Sequence, residues 1–163
     1  MYMGLFRYEK EISVAVAPSR MFQAFVLDFH NLFPKLFPEI IKSIEIEHGD
    51  GGVGTIKVEN FVEGSKHKYA KQRVDSIDKE NLTCTFTVFE QDNMLDIMES
   101  IVYNIKFEPS GNGGSICKSC TEFHFTSDPG TQLAEELKNA SEQELTFFKL
   151  VEAHLSANPD LYA

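Results

Sequence analysis

Apolar and polar residues alternate along most of the first 125 positions, which is the pattern of β-strands that bury one face. Turn signals rich in Gly, Asn, Asp or Ser separate several of these segments, and such short connections join antiparallel neighbours. We therefore predict strands at residues 6–17, 41–48, 55–62, 66–78, 81–90, 100–109 and 115–125.

Two short helices are predicted between the first and second strands. The second lies within 31–41 and is kept short by Pro34 and Pro38, since proline disrupts a helix interior. The first begins at Pro18, and its apolar side chains recur at helical spacing at Met21, Phe22, Phe25 and Val26.

A long amphipathic helix is predicted from Thr131 to Asn158, where the apolar period changes. Roughly 27 residues at 1.5 Å each would span about 40 Å, enough to cross a whole sheet. The fold class is therefore α+β, with an antiparallel sheet wrapped around the long helix. The apolar stripe of this helix consists of Leu133, Leu137, Ala140, Phe147, Phe148, Val151 and Leu155.

Glu144 interrupts that stripe. The favoured interpretation is a kink that turns this side chain toward solvent. The alternative is a carboxylate that faces an internal cavity with a raised pKa.

Residues 49–54, Gly-Asp-Gly-Gly-Val-Gly, match the G-x-G-x-x-G string of dinucleotide-binding loops. That fingerprint needs a helix after the glycines, whereas here a strand-like segment follows, and Thr55 stands where a phosphate-binding P-loop has lysine. We predict instead a tight hairpin loop whose glycines adopt positive φ. A weak anion site made by the loop N–H groups is the alternative.

Composition narrows the function classes. The 163 residues carry a net charge of −10, which disfavours nucleic acid as a partner, and their length predicts one domain, 1–163. No apolar run is long enough to span a membrane, and no secretory signal is expected. The odd count of three cysteines fits a reducing cytoplasm. Cys117 and Cys120 would point to opposite faces of a strand, so no metal site is predicted.

Several segments resemble one known family, the plant intracellular pathogenesis-related class-ten proteins, to which the major birch pollen allergen belongs. The resemblance covers nearly the whole chain. It is carried by "MGLFRYEKE", the stretch from Val26 to Lys57 with its loop "GDGGVGT", "QRVDSIDKENLT", "GGSICKS" and the ending "VEAHLSANPDLYA".

The resemblance implies a seven-stranded antiparallel sheet that grips the long C-terminal helix, supported by two short helices, with a large cavity between sheet and helix. Family members bind amphipathic plant metabolites there, such as flavonoids, cytokinins, sterols and alkaloids. The positions that line the family cavity correspond here to Phe25, Phe33, Lys57, Phe61, His67, Tyr69, Cys84, Phe86, Tyr103, Ile105 and Phe123. For each aromatic residue, ordinary core packing is the alternative.

The third predicted strand gives conflicting signals. Its periodicity would bury Ile56 and Val58, whereas the resemblance directs Lys57 and Phe61 to the cavity, and Glu59 with them. A solvated edge is one interpretation. The other is a Lys57/Glu59 pair inside the cavity that binds a polar ligand group or moves a proton.

Three functions remain open from the sequence. The first is a cytoplasmic carrier or buffer of small hydrophobic metabolites. The second is an enzyme of specialised metabolism, with Lys57, Glu59 and Glu144 as candidate acid/base groups for condensation, cyclisation or isomerisation. The third is a protein-interaction role switched by a ligand. No cofactor is expected, and a monomer or weak dimer is anticipated. Positions linked in the family to ribonuclease activity fall at Lys57, Glu152 and His154.

Overall fold

The computed structural model describes residues 4–93 and 96–163, so residues 1–3 and 94–95 of the predicted 1–163 domain lie outside the described ranges. Seven strands form one sheet in the order β1-β7-β6-β5-β4-β3-β2, and every neighbouring pair is antiparallel. The predicted sheet is confirmed. The strands are β1 (Gly4–Val14), β2 (Ile41–His48), β3 (Ile56–Phe61), β4 (Tyr69–Asp78), β5 (Thr83–Gln91), β6 (Met98–Pro109) and β7 (Ser115–Phe125).

The three predicted helices are present, although the second begins at Phe29, before its predicted range of 31–41. Pro18 starts the first one, and Pro34 lies inside the second, which ends at Leu36 before the next proline. Within the described ranges, none of the helices is both long and apolar enough to cross a bilayer. The helices are α1 (Pro18–Phe22), which continues as a π-helical turn (Gln23–Leu27), α2 (Phe29–Leu36) and α3 (Thr131–Ala157).

The C-terminal half of α3 is fixed to the sheet and to α1. Phe148, Val151 and Leu155 are fully buried there. The guanidinium of Arg20 on α1 donates to the carbonyls of Leu155, Asn158 and Leu161, at 2.9–3.0 Å. These carbonyls lie at or beyond the last turn of the helix, where no further backbone N–H group of the helix is available to them. This end of the helix is therefore anchored, and the other half extends over the concave face of the sheet.

Alternation along β7 sets the two faces of the sheet. Lys118 is exposed, and Cys117 is buried while Cys120 is partly accessible, so the two cysteines point to opposite faces as predicted. The inner-face residues of this strand are buried, as expected from strand parity. They are Cys117, Ser119, Thr121, Phe123 and Phe125.

The glycine-rich segment is a loop between β2 and β3, as its strand context predicted. Gly49, Gly51 and Gly54 have φ of 98°, 102° and 90°. Buried Thr55 organises the loop, since its Oγ1 accepts the Gly51 N–H at 2.9 Å. The N–H of Gly54 donates to Val74 at 2.8 Å. Because the loop already uses these donors internally, the alternative of an anion-binding nest loses its support.

Two glycine substitutions separate backbone strain from steric clash in this loop. A Cβ at Gly51 meets no atom within 4 Å, whereas one at Gly49 would lie 2.6 Å from Thr55 Oγ1 and 2.8 Å from Thr55 Cα. We expect Gly51→Ala to lower the free energy of unfolding by about 1 kcal/mol and Gly49→Ala by about 3 kcal/mol. Urea denaturation measures both. Equal losses would show that the Thr55 contact does not constrain the loop.

Candidate ligand-binding cavity

A cavity of about 650 Å³ lies between the sheet and the N-terminal half of α3. Most of its wall is apolar, and exposed lining residues such as Lys66, Asn93 and Gln143 mark where it meets solvent. Its aromatic lining residues are Phe25, Phe29, Phe61, Phe86, Tyr103, Phe123 and Phe147.

Most of the residues predicted from the sequence come together in this wall. Glu59 and Glu144 also line it. The cavity-lining members of the predicted set are Phe25, Lys57, Phe61, His67, Cys84, Phe86, Tyr103, Ile105 and Phe123.

Phe33 and Tyr69 do not line the cavity, contrary to expectation. Phe33 is buried behind Phe25 and Phe29, with ring centroids 5.2 and 4.5 Å away, so core packing explains it. Tyr69 precedes Ala70, which faces the cavity, and strand alternation therefore directs Tyr69 to the outer face. Its hydroxyl donates to Glu90 at 2.8 Å.

The sequence reasoning missed several lining residues. Phe29 continues the helical spacing of Phe25 and Phe33, and Thr121 shares the inner face of β7 with Phe123, so each had a readable signal. Gln72 had no such signal in the sequence, because only the strand register, which places Gln72 opposite Lys57, assigns this residue to the inner face. Leu133, Leu137 and Phe147 belong to the predicted apolar stripe of α3, whose spacing does not distinguish a cavity wall from a packed core.

The conflict over β3 is resolved in favour of Lys57, Glu59 and Phe61, which all line the cavity. The reason is register, because Lys57 lies opposite Gln72 and Glu59 opposite Ala70, and residues opposite each other share a face. Ile56 and Val58 are partly exposed instead. Both members of the Lys57/Glu59 pair therefore lie inside the cavity, and among the described residues no ion pair or hydrogen bond joins them to each other.

Lys57 is only 4% exposed. Its Nζ lies 5.5 Å from the ring centroid of Phe29, and burial lowers the pKa of its ammonium. Burial also raises the pKa of the neighbouring Cys84 thiol to about 11, so that thiol is uncharged near neutrality. This end of the cavity thus presents a buried amine among apolar groups.

Glu59 is half-buried and lines the cavity. Burial raises the pKa of its carboxyl to about 7. Such a group exchanges a proton near neutral pH and can act as an acid or a base. Among the described residues it has no hydrogen-bond partner.

Glu144 points into the protein, so the interpretation of a kink toward solvent is wrong. Its helix runs unbroken from Thr131 to Ala157, and its carboxylate lies 3.0 Å from Lys10 Nζ. It also accepts hydrogen bonds from Ser119 at 3.0 Å and Thr121 at 3.4 Å. Lys10, on β1, compensates the negative charge of Glu144. The sequence pattern could not reveal this ion pair, because the two residues are far apart along the chain.

The residues linked to ribonuclease activity are not assembled. Lys57 lines the cavity, whereas Glu152 accepts the backbone N–H of Ala15 at 2.6 Å and pairs with Lys149 at 3.1 Å. Neither Glu152 nor His154 is part of the cavity wall. A shared active site of these three residues is therefore not formed.

The Lys10–Glu144 pair gives a double-mutant prediction. Their side chains are only 5% and 17% exposed, and removing one partner leaves the other charge buried. We expect Lys10→Met or Glu144→Leu alone to lower the free energy of unfolding by roughly 3 kcal/mol, and the double variant to recover most of that loss.

Chemical denaturation of the four proteins measures this cycle. The control is Glu108→Gln, which breaks a more exposed pair with Lys118 and should cost less than about 1 kcal/mol. Additive losses in the double variant would show that the two charges do not stabilise each other.

Comparison with known proteins agrees with this architecture. The family model described as the pathogenesis-related protein Bet v 1 family matches residues 3–158. The major allergen Pru ar 1 of Prunus armeniaca is 47% identical over 160 residues, covering 98% of this chain and 99% of that protein.

Solved structures extend the likeness. The crystal structure of Ara h 8.0201 superposes with a TM-score of 0.81 at 31% identity, covering 94% of this chain and 99% of that one. Norcoclaurine synthase from Thalictrum flavum, solved in complex with dopamine and hydroxybenzaldehyde, has a TM-score of 0.74 at 24% identity, with 93% and 89% covered. The second likeness shows a common fold only. From the family match over nearly its full length, the chain belongs to the pathogenesis-related protein Bet v 1 family.

Proposed function

We propose that this protein binds small hydrophobic or amphipathic plant metabolites in its cavity and acts as their carrier or buffer in defence or specialised metabolism. The classes expected from the family are flavonoids, cytokinins, sterols and alkaloids. The observation that carries the proposal is the cavity of about 650 Å³, whose wall is aromatic and aliphatic with a few polar groups. Small-molecule sites typically combine this size with this kind of wall.

The arrangement of the wall supports a flat ligand. The rings of Phe86 and Tyr103 are stacked, with centroids 4.8 Å apart and an interplanar angle of 14°. The pair adds rigid aromatic surface to the cavity wall, against which a flat ligand can pack. Lys57, Glu59 and the hydroxyl of Tyr103 then offer polar contacts at fixed positions.

The proposal includes a cytoplasmic location and action as a monomer or weak dimer, in keeping with the resemblance. The free cysteines Cys84, Cys117 and Cys120 suit a reducing compartment. A switched protein-interaction role would use the same ligand cavity, but no described feature favours it over storage or transport.

A second candidate function is acid/base catalysis on a metabolite in the same cavity. Glu59 favours it, because a carboxyl with a pKa of about 7 exchanges protons efficiently near neutral pH. Lys57 and Glu144 remain candidate partners that also line the cavity. No nucleophile with an adjacent base is recognisable in the described wall, so proton transfer is the reaction type that the residues support.

Filling the cavity tests the binding proposal. Ala140 and Ala153 are both exposed residues of α3, but Ala140 lines the cavity and Ala153 lies outside its wall. We expect Ala140→Trp to weaken binding of a flavonoid or cytokinin by at least about tenfold, since an indole occupies part of the ligand volume. Ala153→Trp should bind as the parent does.

Isothermal titration calorimetry with the four metabolite classes provides the measurement. Saturable micromolar binding of at least one class is expected for the parent protein. Absence of saturable binding across all four classes would refute the carrier proposal, and equal binding by Ala140→Trp would locate the ligand outside this cavity.

Catalysis by Glu59 predicts a characteristic pH profile. If its carboxylate is the base, turnover rises with pH through about 7; if its protonated form is the acid, turnover falls through the same range. Glu59→Gln should remove this inflection and most of the rate. Glu45→Gln, at an exposed position of β2, is the matched control. A profile unchanged by Glu59→Gln would exclude this carboxyl from the reaction.

A further inference from the structure

The polar groups of the cavity form two chemically different ends. Lys57 contacts the Phe29 ring, and its electrostatic neighbours are Cys84, Asp28 and His30. The other end, the acidic end, consists of Glu59 on β3, Tyr103 on β6 and Glu144 on α3.

Geometry brings Glu144 to the Tyr103 side of the cavity, because Thr121 lies opposite Tyr103 and donates to Glu144 at 3.4 Å; Glu59 lines the same cavity. Burial, and then the charges of Glu144 and Glu59, raise the pKa of the Tyr103 phenol, so both carboxyl groups act on the same hydroxyl. All three residues line the cavity although they come from three different elements. The tertiary fold therefore concentrates negative charge beside one aromatic ring.

The three residues of the acidic end differ in whether the protein supplies them with hydrogen-bond or ion-pair partners. Glu144 is already held by Lys10 at 3.0 Å and by hydroxyl groups of β7. Among the described residues, the carboxyl of Glu59 and the hydroxyl of Tyr103 have no hydrogen-bond partner in the protein. Buried polar groups normally find partners, so these two are available to a ligand.

The chemistry of the available groups indicates what that ligand carries. An anionic group placed here would meet the carboxyl of Glu59, which no cation of the described residues pairs with, and that contact is unfavourable. An ammonium can donate to the Glu59 carboxylate and to the Tyr103 hydroxyl oxygen. Phe86 and Tyr103, which are stacked on each other, add aromatic surface to the wall that an aromatic ligand can pack against.

We propose that the cavity selects amphipathic aromatic amines, whose protonated nitrogen is bound by Glu59 and Tyr103 while the ring lies in the apolar part of the wall. Glu144 is already paired with Lys10 and bonded to Ser119 and Thr121, so it is not assigned to the ligand. The inference rests on the proposed function, because it requires the cavity to take a ligand.

Other charges face this end and enter any pH dependence. They come from β3 (Lys57), the segment before β4 (Lys66 and His67), α3 (Glu136 and Glu144) and β1, whose Lys10 is paired. Burial lowers the pKa of Lys57, which weakens its repulsion of a second cation. A pH effect therefore identifies Glu59 only if it disappears when Glu59 is replaced.

Tryptamine and tryptophol provide a matched pair of probes. They share an indole and an ethyl chain, but one ends in an amine and the other in a neutral hydroxyl. Aliphatic amines titrate near about 10, so tryptamine keeps its charge from pH 6 to pH 8. Calorimetric titration of the full chain with each probe at both pH values measures the preference for the amine.

At pH 8 we expect tryptamine to bind at least about tenfold more tightly than tryptophol, as a charge-assisted hydrogen bond allows. With a Glu59 pKa of about 7, its ionised fraction grows from pH 6 to pH 8. The preference for tryptamine should therefore increase by up to about tenfold over that range.

Glu59→Gln should reduce the preference to about threefold or less and abolish its pH dependence. Because the Glu59 carboxyl has no partner among the described residues, this substitution breaks no internal contact, and the variant should fold. Glu45→Gln, exposed on β2, should leave both unchanged.

The outcomes separate the inference from the function on which it rests. Equal binding of the two probes, or tighter binding of tryptophol, overturns the selection of amines while the carrier proposal stands. A tryptamine preference that persists in Glu59→Gln overturns the assignment of Glu59. If neither probe nor any metabolite class binds saturably, the carrier proposal fails and the inference fails with it.

Discussion

The attachment of α3 by its C-terminal half is the interaction on which the rest of the structure depends. Phe148, Val151 and Leu155 are buried against the sheet and α1, and Arg20 binds the carbonyls at the helix end. Because one half of the helix is fixed, the other half can lie over the sheet without filling the space beneath it. The cavity lies between this half and the sheet, and both contribute to its wall.

The side chains of the cavity wall do not fill the cavity, so the wall must be kept ordered by packing behind it. A network of phenylalanines provides this order near α1 and α2, where Phe25 stacks on Phe148 at 4.5 Å and Phe33 packs behind the wall. Polar groups in such a wall are costly unless they are satisfied. Lys10 and Glu144 satisfy each other, whereas Glu59 and Lys57 keep available groups, and this difference directs attention to the latter two as ligand contacts.

Membership of the family supports conclusions about the fold, whereas the particular residues of this chain support the inference about its ligand. The family match establishes the architecture, and relatives such as Pru ar 1 share it over nearly the full length. The acidic end arises from side chains contributed by three elements of this chain. Its ligand preference is therefore a property to be measured on this protein, and the likeness to norcoclaurine synthase at 24% identity carries only the fold.

Local sequence patterns determined the elements, because each depends on periodicity within a few residues. The alternation of β7 predicted which of its residues face inward, and the strand after Gly54 excluded a dinucleotide loop. Nine of the eleven positions taken from the resemblance line the cavity, including Cys84 and Phe86.

Tertiary structure decided the rest, because the deciding contacts join residues distant along the chain. Register with β4 directed Lys57 and Glu59 inward against their local pattern. The same register places Ala70 on the inner face, and therefore Tyr69 on the outer face. The ion pair with Lys10 allows Glu144, which was expected to face solvent, to point into the protein. The sequence shows that a charged residue interrupts an apolar stripe. Only the packed fold shows whether an opposite charge lies next to that residue, and the presence of such a partner decides whether the charged side chain is buried or exposed.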